Sequence, residues 1–95
     1  MRDAPEFDWD EQNETHLSKH NISRFEAEDV FSGNHILLDY QTEANEQRWV
    51  AVGLTRAGRI LSIVFTIRGE AIRAITGWTA DKGTANLYLK EWGRE

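Results

Sequence analysis

Ninety-five residues, 40% of them apolar and 28% charged, suit one small folded domain over residues 1–95, too short for two cores and too apolar for disorder. Zero cysteines exclude disulfide frameworks, thiolate zinc sites and cysteine nucleophiles, and no run nears the ~18 apolar residues that would cross a bilayer. The net charge of −5 hides a division: residues 1–45 carry eleven acids against three bases, whereas residues 46–75 carry Arg48, Arg56, Arg59, Arg68 and Arg73 against Glu46 and Glu70.

Residues 5–9 alternate polar and apolar side chains, as a short strand does. Asp10 is placed to cap a helix over residues 11–20, with acids in its first turn and Lys19 and His20 in its last, the order a helix dipole favours. Asn21 is a left-handed stop. Ser23 followed by Glu26 is a capping box for a second helix that runs to about Phe31 and is broken by Ser32-Gly33-Asn34. The hydrophobic period then changes. Strands are predicted at residues 36–38, 48–55, 59–68 and 71–78, with a polar turn at 41–45 and short turns at 56–58 and Gly69. A last helix is expected over residues 80–92, weakened at its start by Gly83. The order β-α-α-β-β-β-β-α reads as an α+β domain, an antiparallel sheet with its helices on one side.

The charge division points to an anionic ligand on the arginine segment, to two self-complementary faces, or simply to arginines that solvate strand ends. Forked guanidinium donors suit phosphate. If the strands form a meander, Arg68 and Arg73 return to one end of the sheet, with Arg59 bracketing the same strand as Arg68; Arg94 is expected to be dispensable. His16 and His20 stand four apart on the first helix and share a face. They could hold a metal, but the intervening residues lack the glutamate of H-E-x-x-H and no third ligand is evident. One of the imidazoles is better read as an acid/base group or as a junction hydrogen bond. No P-loop, G-x-S-x-G or dinucleotide fingerprint is present. The acidic start has no apolar signal segment, so a cytoplasmic location is expected.

Five segments in register resemble one family. Residues 7–22, Phe-Asp-Trp-Asp through Lys19-His20-Asn21-Ile22, look like the N-terminal signature of BrnT-type toxins, and Phe25-Glu26-Ala27-Glu28-Asp29-Val30-Phe31 is similar to its next helix. Residues 48–55, residues 58–68 (Gly58-Arg59 through Thr66-Ile67-Arg68) and residues 72–76 are similar to its strand motifs. The resemblance implies a RelE-like fold and a bacterial endoribonuclease that needs no metal or other cofactor. It implies a toxin that cleaves mRNA and arrests translation until a ribbon-helix-helix antitoxin neutralises it, with DNA met only through the antitoxin and no membrane involved. By position, Arg59, Arg68 and Arg73 would hold phosphate with Arg48 beside them. Lys19 and His20 would move protons, and Tyr88 would stack a base. The chain departs from the family where an arginine is expected and Trp78 stands, and where a glutamate is expected and Thr84 stands. Trp78 is read as a core residue in preference to a base-stacking platform. Loss of one preorganised cation costs about 10²–10³ in rate. The departure leaves open a weakened nuclease, a rearranged site, or an inert binding module that pairs with a small DNA-binding protein or RNA.

Overall fold

The computed structural model describes residues 5–93, so Arg94 lies outside the described residues. Eight elements follow in the expected order: β1 (Glu6–Phe7), α1 (Glu11–Ser18), α2 (Arg24–Ser32), β2 (His35–Glu43), β3 (Glu46–Leu54), β4 (Ile60–Arg68), β5 (Ala71–Thr79) and α3 (Lys82–Trp92). The chain is α+β, as its sequence suggests. Strands β2 to β5 form the antiparallel meander, but β1 joins β5 in parallel, through Glu6 opposite Ala71 and Phe7 opposite Ile72, so the five-stranded sheet is mixed. Its spatial order is β1-β5-β4-β3-β2. The short β1 enters along the edge of β5, and α1 then packs beside the same strand.

The caps follow the sequence closely. Asp10 accepts a hydrogen bond from the Asn13 amide (3.1 Å), and the Asn13 side chain accepts one from the Asp10 amide (2.9 Å). Ser23 and Glu26 make the same reciprocal pair for α2. The two arrangements satisfy amides that would otherwise lie open in the first turns. Helix α1 ends at Ser18, two residues earlier than expected, and Asn21 takes the left-handed conformation (φ 60°) that sends Ile22 into the core. Strand β2 is longer than its apolar part. Residues 41–45 read as a polar turn, yet residues 41–43 continue β2 alongside β3, and the turn itself is only Ala44-Asn45, both with positive φ.

The helices lie on both faces of the sheet rather than on one. On the front, Leu17 of α1 and Val30 and Phe31 of α2 meet Leu61, Ile63 and Phe65 of β4. On the back, Tyr88 of α3 meets Val50, Val52 and Val64. Alternation along β3 and β4 supplies an apolar set to each side, which is why two cores form. No helix among the described residues is long and apolar enough to cross a membrane.

Gly77 permits the close approach of α1 to the sheet. A Cβ at that position would lie 2.7 Å from Ile63 Cδ1, 2.9 Å from the Ser62 carbonyl oxygen and 3.3 Å from Leu17 Cδ2. Gly77→Ala is expected to destabilise the domain by about 1–3 kcal/mol, a fall of ~5 °C or more in melting temperature. A thermal melt unchanged by the substitution would contradict this packing.

Candidate active site

Helix α3 covers only part of the back face. Tyr88 donates from its hydroxyl to the Asn34 carbonyl (3.3 Å) and Trp92 donates from its indole to the His35 carbonyl (3.2 Å), which fixes the helix over the beginning of β2. The opposite end of that face is left to polar residues. Arg48 precedes the front-facing Trp49 on β3, and Arg68 lies three residues beyond the front-facing Phe65 on β4, so alternation turns both toward the back.

Arg73 reaches the same face because β5 is irregular. Val64 pairs with Thr76 and Phe65 with Ala74, which leaves Ile75 as an extra residue. Gly77 and Ala74 both meet the front core, whereas strict alternation from Gly77 would have turned Arg73 to the front as well. A one-residue bulge thus shifts Arg73 to the back, the kind of re-aiming for which bulges are used near functional sites.

The result is a hollow of roughly 130 Å³ bordered by Gln12, Asn13 and His16 of α1, Arg73 of β5, Arg68 of β4, and Arg48 and Glu46 of β3. Pockets that enclose a whole small molecule run to about 300–1,000 Å³, so this one suits a single group on a larger chain.

The three arginines are not equivalent. The Arg73 side chain is only 9% exposed, and its Nη2 lies 3.0 Å from an Asp10 carboxylate oxygen while Nη1 lies 3.6 Å from Asp8. Nη1 also donates to the Asp8 carbonyl at 3.4 Å. The hydrogen bond from the Asn13 amide, together with Arg73, holds the Asp10 carboxyl below the usual carboxylate range. Arg48 pairs with Glu46 at 3.3 Å. Arg68 is exposed, and among the described residues no carboxylate lies within ion-pair distance of it. The hollow therefore presents one uncompensated guanidinium between two whose positions are fixed.

The residues expected to act together divide between the two ends of the sheet. Arg48, Arg68 and Arg73 converge. Arg59 does not: it stands at the start of β4, nine residues and roughly 30 Å from Arg68. There its Nη1 donates to Glu26 (3.0 Å) and to the Asn21 carbonyl (2.8 Å), and Nη2 reaches Thr79 Oγ1 at 3.4 Å. Arg59 therefore ties α2 and the α1–α2 turn to the sheet. Lys19 and His20 lie in that turn, near Arg59 and away from the hollow. Tyr88 is buried at 5% exposure, with no ring face open to a nucleobase.

His16, which the sequence coupled with His20, instead borders the hollow without it. Glu46, Gln12 and Tyr40 also belong to this region and were not singled out from the sequence. Tyr40 is the cross-strand partner of Arg48, a pairing set by the Ala44-Asn45 turn and the register beyond it, which no local motif encodes. Trp78, in the place of an expected arginine, packs against the back core.

A basic hollow beside an imidazole is the equipment of a protein that handles phosphodiesters. The chain belongs to the family described as Ribonuclease toxin, BrnT, of type II toxin-antitoxin system, which matches residues 9–83. No match is found among curated proteins. The matched span contains every described residue that borders the hollow and ends inside α3. Membership makes the chain a ribonuclease toxin by family, with a protein antitoxin as its partner.

Asp10 gives the site a defined response to acid. Its carboxyl is held below the ordinary value near 3.9, so the stability it contributes is present above that value and is lost as the pH falls through the lowered one. Asp10→Asn keeps a capping side chain but removes the charge. The wild type is expected to be more stable than Asp10→Asn at pH 7, with the difference shrinking below about pH 4. Denaturation curves that show the same difference at pH 7 and in strong acid would contradict the assignment.

Proposed function

We propose that this chain is a metal-independent endoribonuclease that cleaves mRNA in the cytoplasm and arrests translation. A ribbon-helix-helix antitoxin neutralises it, and the pair meets DNA only through that partner. The observation that carries the reading is Arg68, a cation without a carboxylate among the described residues, set between the anchored Arg48 and Arg73. Phosphodiester cleavage gathers negative charge on the non-bridging oxygens. Guanidinium groups fixed before the substrate arrives stabilise that charge without reorganising, and their forked donors match its geometry. In this reading Arg68 meets the phosphate and Arg48 and Arg73 flank it. The exposed Tyr40, beside Arg48 on the same face, offers the stacking surface first assigned to Tyr88. Arg59, Lys19 and His20 are not assigned to the phosphate.

A second reading has its own support. Trp78 packs against the back core where the resemblance expects a cation, which suits a chain that keeps the partner-binding fold and binds RNA without cutting it.

One assay separates the two. The purified chain, freed of antitoxin, is expected to cleave single-stranded RNA in excess EDTA. Arg68→Ala should lower the rate about 10²-fold with an unchanged thermal melt. Arg56→Ala, which alters a surface pair with Asp29 away from the hollow, should have no effect. Cleavage that requires a divalent ion would contradict the metal-free mechanism. RNA binding without cleavage under any condition would establish the second reading.

A further inference from the structure

We infer that His16 is the proton-transfer residue of this site, an inference that rests on the ribonuclease reading above. Among the described residues three imidazoles are available, and their positions distinguish them. His35 packs against Phe31, and its Nδ1 lies 2.9 Å from the Gly33 carbonyl oxygen, at the end of the sheet that α3 covers. His20 follows the last turn of α1, in the segment that Arg59 grips through the Asn21 carbonyl. His16 alone borders the arginine hollow.

Its placement follows from the helix. Gln12, Asn13 and His16 are spaced to share one side of α1, while Leu17 on the adjacent side is wholly buried in the front core. The buried Leu17 and the capped, arginine-held Asp10 fix both the rotation and the start of the helix. His16 is therefore delivered to the hollow by structure on either side of it. Its ring is exposed and makes no hydrogen bond among the described residues, so it is free to engage a substrate. Among the described residues the charged groups around the hollow are Glu46 and Arg48 from β3, Arg68 from β4 and Arg73 from β5.

With a phosphodiester on Arg68, His16 takes the proton from the 2′-hydroxyl. The 2′-oxygen bonds to phosphorus as the bond from phosphorus to the 5′-oxygen breaks. Solvent water protonates the leaving 5′-oxygen, and the imidazolium returns its proton to the hydroxide so formed. The products are a 2′,3′-cyclic phosphate and a 5′-hydroxyl, with no atom gained or lost. Glu46 is joined to Arg48 on β3.

The test compares wild type, His16→Ala, His20→Ala and Arg68→Ala on a single-stranded RNA oligonucleotide. Binding is measured separately on a 2′-O-methyl strand that cannot react. His16→Ala is expected to cleave about 10²–10⁴-fold more slowly, to bind the unreactive strand within about twofold of wild type, and to regain rate with added imidazole. The wild-type rate should rise with pH over the range in which imidazoles lose their proton, a limb that His16→Ala lacks. His20→Ala should match wild type. Full activity in His16→Ala, or the loss appearing in His20→Ala instead, would overturn the assignment while the effect of Arg68→Ala left the nuclease reading standing. A wild type that binds RNA but never cleaves it would overturn both.

Discussion

Arg73 lies almost wholly inside the protein, with its guanidinium held between Asp8 and Asp10 at the edge of the sheet. The arrangement joins three elements at one point. Asp8 has just left the parallel pairing of β1, Asp10 caps α1, and Arg73 belongs to the bulged part of β5. Removing a buried cation's partners leaves a charge away from water, at a cost of several kcal/mol in general, so the contact is demanding as well as stabilising. It favours one placement of α1 on β5. The hollow needs that placement, since α1 forms one of its walls.

Apolar burial supplies the larger part of the stability. Leu17, Ile22, Leu61 and Ile63 are each 1% exposed or less, and burying a side chain of that size is worth about 1.5–3 kcal/mol. Exposed pairs such as Arg24 with Glu14 contribute well under that. The arginines therefore have different tasks. Arg59 and Arg73 are occupied in holding helices against the sheet, and of the arginines around the hollow Arg68 is the one for which no carboxylate lies within ion-pair distance among the described residues. The acidic first half of the chain is used in the same way: Asp8, Asp10, Glu26 and Asp29 each meet an arginine from the second half. Part of the charge division seen along the sequence is thus internal pairing between helices and strands, not two surfaces awaiting partners.

Features set by neighbouring residues were legible in the sequence. The Asp10 cap, the Ser23–Glu26 capping box, the left-handed Asn21, the apolar β4 and the return of Arg68 and Arg73 to one end all follow from local spacing. Features set by pairing across the sheet were not. Residues 41–43 are polar enough to pass for part of a turn, and only β3 holds them extended. The extra residue Ile75 leaves no mark in the apolar pattern of β5, although it decides which way Arg73 faces. Arg59 was grouped with Arg68 because both flank one strand, but a nine-residue strand separates its ends by most of the domain. His16 and His20 were coupled by helical spacing, and the end of α1 at Ser18 divided them.

The Asp10–Arg73 contact, rather than either residue alone, holds α1 on β5. A double-mutant cycle tests it most directly: Asp10→Ala, Arg73→Ala and the pair, unfolded by denaturant at neutral pH. Strong non-additivity is expected, with the double variant no less stable than the weaker single variant, because each substitution already removes the shared contact. Effects that simply add would show that the two residues stabilise the fold independently, and that their contact does not hold α1 in place.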